Sequence, residues 1–179
     1  MLGHSAEGQL TGIIPNYYKI AKVLAISCSS GNLKGLKGRT KLLAPIMFKG
    51  LFPLAYYTLG YGPTHLIGMG ENLPKNVAKQ WGEFCSKPGY VMNAIGKAIP
   101  LTQDYHAKFS SPITALYSSD DEIATEINVQ DLLRLYPNTQ TTIIQLKPND
   151  YGYKTIGHML MFKRSHQTLW PVIKNHLTI

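Results

Sequence analysis

The sequence predicts an α/β fold built on a parallel sheet, and three observations carry that expectation. Short apolar or β-branched runs alternate with segments of helical periodicity, the pattern of strands joined by right-handed crossovers. The first of these runs is continuously apolar, as a strand covered by helices on both faces must be. Serine, aspartate and histidine stand where strands end, at Ser5, Asp121 and His158, and open parallel sheets gather functional groups at those carboxyl ends. A chain of 179 residues, 44% apolar and 16% charged, suits one domain with a sizeable core and lacks the composition of a disordered segment.

The elements follow in order. The opening MLGHSAEGQL nearly spells the nucleophile elbow G-x-S-x-G, whose serine sits on a sharp strand-to-helix turn. Gly3 and Ser5 fit; Glu7 replaces the final glycine, and Gly8 follows one place later. Residues 6–14 predict a helix behind Ser5, stopped by Pro15-Asn16. Only Met1 and Leu2 are left to form the strand feeding Ser5, so the next strand, 21–29, is expected to form the edge of the sheet. From 30 to about 107 the chain is rich in glycine, proline and aromatics. Its one clear helix is 74–85, opened by Pro74, with Val77, Trp81, Phe84 and Cys85 on one face.

Within that region residues 42–61 are the most apolar part of the chain. Lys49, Pro45, Gly50, Pro53 and Gly60 interrupt the run and exclude a membrane span. An amphipathic lid over an apolar pocket and plain core packing are the two readings left. Pro112 then leads into a strand at 113–117, with Asp120-Asp121 at its carboxyl end. Thr125 caps a helix with Val129, Leu132, Leu133 and Tyr136 on its inner face, and Pro137-Asn138 ends it. The β-branched run 139–146 is another strand. A loop carries His158, and a last helix sets Leu169, Ile173 and Leu177 on one face.

The formal charge of +8 raises the question of an acidic partner. The densest cations, Lys34, Lys37, Arg39 and Lys41, lack the stacking aromatics of a nucleic-acid site. A solvated glycine-rich loop is preferred there to a phosphate or lipid-headgroup site. Cys28 and Cys85 are far apart, without metal-ligand spacing, and read as buried thiols of a reducing compartment, one disulfide being the alternative. No apolar h-region follows Met1, so a cytoplasmic location is expected. His65, His106, His166 and His176 lack metal spacing, and neither metal nor cofactor is expected.

Ser5, Asp121 and His158 acquire meaning together. A serine hydroxyl is a poor nucleophile until a histidine can take its proton, and a buried carboxylate fixes that histidine's tautomer. Their order along the chain is the one expected of a Ser-Asp-His hydrolase built on such a sheet, and one strand–helix–strand unit separates the acid from the base. GHSAEGQL, GIIPN, GMGENLPKNVAKQW, SSDDEIAT, LLRLYPN and IGHMLMF with LWPVI together resemble the C-terminal part of a bacterial α/β-hydrolase family akin to serine-aminopeptidase-like lipases and esterases. The resemblance runs along nearly the whole chain.

It implies strands 6–8 of an α/β-hydrolase sheet with flanking helices and an inserted helical cap. Residues 1–30 would hold the elbow and first core strand, 31–107 the cap, and 108–179 the core with acid and base. It implies Ser5 as nucleophile, Asp121 as acid in preference to Asp120, His158 as base, and the Ala6 N–H as an oxyanion donor. The substrate would be a small acyl compound with an ester, thioester or amide carbonyl. Trp81, Tyr90, Tyr56 and Tyr57 are candidates for an acyl pocket, with core packing as the plainer role; His4 is elbow filler and not the base.

Family members carry further strands before the elbow, together with the loop that supplies a second oxyanion donor. The resemblance therefore implies an internal start at Met1, with a separate N-terminal half as a partner. That opens a second reading, a catalytically impaired fragment or pseudoenzyme, poorly soluble and close to inactive. Glu7 fits either reading, as bulk and negative charge beside the oxyanion or as a solvent-facing acid with Gly8 relieving the packing.

Overall fold

The strand-forming runs assemble side by side in a computed structural model, which describes residues 1–67 and 71–177. Four strands, β1 (Leu2–His4), β2 (Val23–Ile26), β5 (Ile113–Ser118) and β6 (Thr141–Leu146), lie in the order β1-β2-β5-β6, all parallel. Strands β3 (Tyr61–Gly62) and β4 (Leu73–Pro74) form a separate antiparallel pair between β2 and β5. Gly68, Met69 and Gly70 of the hydrolase-like stretch, and the last two residues of the segment 108–179, lie outside the described residues.

Side chains alternate across the sheet as period-two geometry requires. Val23 and Ala25 of β2, with Ile113, Ala115 and Tyr117 of β5, face helix α5 (Glu126–Leu133) through its Val129, Leu132 and Leu133. Leu24, Ile26 and Leu116 face the other way, onto Ile156, Met161, Leu169 and Ile173 of the C-terminal segment, which ends in helix α6 (Trp170–Asn175). The sheet is thus the middle of three layers. Strand β6 is mostly exposed, with Leu146 its buried residue, so its threonines cover an outer strand. Thr125 caps α5 as expected, its hydroxyl accepting from Asn128 N at 3.4 Å. Leu177 lies beyond α6 and is 40% exposed; Leu169 and Ile173 are the positions that reach the core.

Several local expectations are corrected. Strand β2 is not an edge. The carbonyl of Met1 accepts from Leu24 N at 2.9 Å and Ser5 N donates to Ile26 O at 3.0 Å, so three residues are enough to close a parallel ladder over β2. The helix behind Ser5 is shorter than 6–14: α1 spans Ala6–Gln9, and a separate 3₁₀ turn spans Thr11–Ile13.

The insert also holds more helix than its prolines and glycines suggest. Helix α2 (Gly38–Ile46) runs through a π-helical turn at Met47–Leu51 into α3 (Phe52–Thr58), ahead of α4 (Lys75–Cys85). Pro45 and Pro53 lie on either side of that wider turn, which Phe52 N closes on Met47 O, and π-turns accommodate such breaks in the ladder. The basic run is therefore solvated as expected but only partly loop. Arg39 and Lys41 occupy the first turns of α2, whose start is capped by Glu122: its carboxylate accepts from Arg39 N, Thr40 N and Thr40 Oγ1.

The root of the insert is bolted to α5. Thr125 Oγ1 donates to Gly35 O at 2.8 Å, Asn128 Nδ2 donates to Asn32 O at 3.2 Å, and Ser30 N donates to Asn128 O at 2.9 Å. Gly35 permits this approach, since a Cβ there would meet Asn128 Oδ1 at 2.0 Å.

Candidate active site

Ser5 stands between the end of β1 and the start of α1 with φ 51° and ψ −119°, a left-handed conformation that a non-glycine residue adopts only under constraint. The constraint comes from its neighbours. A Cβ on Gly3 would lie 2.6 Å from Gly8 N, and one on Gly8 would lie 2.4 Å from Cys28 Sγ. Gly8 is thus the glycine on which the turn packs, while Glu7 points outward and is exposed. Its carboxylate accepts from His4 N at 3.1 Å. The ladder partners of β1 are Met1, Gly3 and Ser5, so the His4 amide faces away from β2, toward the side of β1 that no strand among the described residues pairs with.

The structure brings Ser5, His158 and Asp121 together. Ser5 Oγ lies 2.9 Å from His158 Nε2, and His158 Nδ1 lies 2.8 and 3.1 Å from the two carboxylate oxygens of Asp121. A carboxylate only accepts, so Nδ1 carries the proton and Nε2 is left to accept from the serine hydroxyl. Asp121 is fully buried and is oriented by Ile123 N and Ala124 N, which donate to it at 2.8 and 2.9 Å. Ala6 occupies the first position of α1 beside Ser5, where a helix leaves its amides without ladder partners.

Two further residues hold the backbone that presents His158, and neither carries a separate signal in the sequence. Asp120 accepts from Thr155 Oγ1, Ile156 N and Gly157 N at 2.6, 3.0 and 2.9 Å and from Ser118 Oγ, so it ties down the loop that presents the histidine. Burial alone would raise the Asp120 carboxyl; the bonds from Ser118, Thr155, Gly157 and Ile156 together outweigh it and hold the group below the ordinary carboxylate range. His4 donates from Nε2 to the His158 carbonyl at 2.9 Å, and its ring rests on those of His158 and Phe162. An adjacent acid pair and an elbow histidine are too common to announce such roles.

Ser5, Ala6 and His158 open onto a cavity of about 410 Å³. Ala44, Met47 and Phe48 of the long cap helix, Val77, Trp81 and Phe84 of α4, and Tyr90 are among the other residues that line it. The wall is largely apolar, the character of a site for an apolar ligand. Trp81 and Tyr90 line it, and both also serve the core, Tyr90 buried and Trp81 packed against the same cluster. Tyr56 lies instead in a neighbouring groove and Tyr57 is 70% exposed, because successive helix positions turn away from the cavity. Cys85 also reaches the wall, but burial pushes its thiol up to about 12, as it does that of Cys28, and an un-ionised thiol is not a nucleophile. Among the described residues no group of three or more His, Cys, Asp or Glu side chains is arranged to hold a metal ion, and no helix is long and apolar enough to cross a membrane.

No family model matches the sequence, and no curated protein matches it. Solved structures do. Over 98% of its length the chain is similar to a monoacylglycerol lipase from Paleococcus ferrophilus, with a TM-score of 0.52 at 14% identity, and it covers 66% of that chain. It is also similar to the esterase domain of a Rhodothermus marinus protein (TM-score 0.49, 12% identity, 98% of this chain and 57% of that one). A third is mouse alpha/beta hydrolase domain-containing protein 10 (TM-score 0.48, 14% identity, 98% and 60%). At these identities the likeness concerns the fold. The chain has the C-terminal portion of an α/β-hydrolase fold, with a parallel sheet, flanking helices and an inserted helical cap, and it spans less than two thirds of the length of these structures.

Proposed function

We propose that the chain carries the catalytic groups of a serine hydrolase acting on small acyl esters, thioesters or amides. The single observation behind this reading is the relay from Ser5 Oγ through His158 to buried Asp121, with both bonds under 3 Å. In the reaction His158 Nε2 takes the hydroxyl proton as Ser5 Oγ attacks the carbonyl carbon, and Asp121 stabilises the imidazolium. The Ala6 N–H donates to the developing oxyanion. His158 then passes the proton to the leaving group, leaving an acyl-Ser5 ester, and activates the water that hydrolyses it. The apolar cavity suits an apolar acyl chain. Residues 1–30 and 108–179 supply the reacting groups and 31–107 the cover. Two buried cysteines that form no disulfide support a reducing compartment, the cytoplasm.

A second reading, an impaired fragment or one part of a split hydrolase, is favoured by one specific observation: the chain covers only 57–66% of the structures it is similar to. The test is labelling with a fluorophosphonate probe. The hydrolase reading expects labelling that falls at least about 1000-fold in Ser5→Ala and in His158→Ala. Folded chain that does not label, or that labels equally in both variants, would give the case to the second reading.

A further inference from the structure

The long helix that covers the cavity is apolar on both sides, and only one side is used. Ala44, Met47, Phe52 and Ala55 are buried. On the opposite side Leu43 is 61% exposed, Ile46 66%, Leu54 66% and Tyr57 70%, with Leu42 beside them at 71%. Counted through exposed Gly50, these positions recur every three or four residues, so they form one stripe along the helix. A helix apolar all round is normally covered on every side, and a contiguous exposed apolar patch marks a docking surface.

Charge indicates what docks there. From Gly31 to Gly60 the chain holds five cations, Lys34, Lys37, Arg39, Lys41 and Lys49, and no aspartate or glutamate. All five are exposed. Lys75 adds a sixth, its ammonium 5.0 Å from the centre of the Tyr57 ring. Among the acids of this region Glu122 is used to cap the start of α2, Glu83 lies in the groove behind Lys49, and Glu71 is exposed ahead of β4. An apolar stripe bordered by cations is the arrangement by which a helix lies in a bilayer interface, leucines among the acyl chains and lysines at anionic headgroups.

We propose that this outer face of the cap seats the protein on an anionic lipid surface, so that one helix carries the docking stripe outside and the cavity wall inside. The proposal does not depend on Ser5 chemistry, and Ser5→Ala chain can be used throughout. The test is co-sedimentation with vesicles of phosphatidylcholine alone and of phosphatidylcholine mixed with phosphatidylserine. The mixed vesicles should bind at least about tenfold more tightly. Leu43→Asp with Ile46→Asp, both at exposed positions, should lower that binding by about tenfold or more, and Lys41→Gln with Lys49→Gln should reduce the preference for phosphatidylserine. Absence of wild-type binding, or equal binding by the aspartate variant, overturns the proposal. A dimer in sedimentation velocity that the aspartate variant abolishes overturns it in favour of a second copy of the chain.

Discussion

The two walls of the cavity are built in opposite ways. On the sheet wall polar groups decide position: Asp121 answers His158 and two amides, Asp120 answers four donors around the same loop, and His4 holds the His158 carbonyl. On the cap wall shape decides, with Ala44, Met47, Phe48 and Trp81 meeting the cavity through apolar surface, and the helix behind them is left largely exposed. Hydrogen bonds to charged groups are short and directional, so the sheet wall is set within fractions of an ångström. Dispersion contacts tolerate sliding, so the cap wall is specified by volume. Groups that must meet at fixed distances need the first kind of construction, and a pocket for an apolar ligand can use the second.

The sharpest way to break this contrast is to alter the two neighbouring acids separately. Asp121→Asn removes the acceptor that sets the His158 tautomer, and fluorophosphonate labelling should slow by about 10⁴-fold. Asp120→Asn leaves that tautomer alone and weakens the anchoring of its loop. Stability should fall by about 1–3 kcal/mol, with a far smaller loss of labelling. Because the Asp120 carboxyl is held low in the folded chain, its stabilisation is present above the ordinary carboxylate range and is lost as pH falls from that range through the lower folded-state value. Thermal melts from neutral to acid pH should therefore show a shallower decline for Asp120→Asn than for the unaltered chain. Equal labelling rates in the two variants would show that the two acids share one role.

Smaller effects should follow at the elbow. Gly8→Ala drives a methyl against Cys28 Sγ and should cost about 1–3 kcal/mol in denaturant melts. Cys28→Ala removes the obstacle, leaving Cβ contacts of 3.4 and 3.6 Å, so the double variant should regain most of that loss. Gly3→Ala meets backbone at 2.6 Å and should find no comparable rescue. A further effect belongs to pH. Burial raises both thiols from 9.0 to about 12, so stability from these groups is complete below pH 9 and declines as pH rises toward 12. The slope should be at most about 1.4 kcal/mol per pH unit for each thiol. Melts from pH 8 to 11 should show the slope, and alanine at both cysteines should flatten it.

Legibility in the sequence followed the same division. Strand β5 and the α5 cap are read correctly because continuous apolar runs and Thr125 are local signals, and the elbow is readable because its glycines are close in sequence. Asp121 could be preferred to Asp120 only through family likeness: adjacent side chains leave the backbone in different directions, and spacing does not reveal which one meets His158. The cap helix was obscured by Pro45, Gly50 and Pro53, which normally end helices; a π-turn absorbs the break, and nothing local announces one. The β1 ladder was hidden for another reason, since a three-residue strand is stabilised by its neighbour and not by its own composition.

Glu7 gives the open side of β1 an unusual standing. A strand edge is a template, and proteins guard such edges with charge. Here the guard is a ligand: the carboxylate three residues away already holds the His4 amide. Any extended segment that pairs along this edge must displace an intramolecular competitor whose effective concentration is set by a three-residue tether, a regime of about millimolar or above. Weak, adventitious strands lose that competition. A strand that formed several ladder bonds at once would offset the loss of this one.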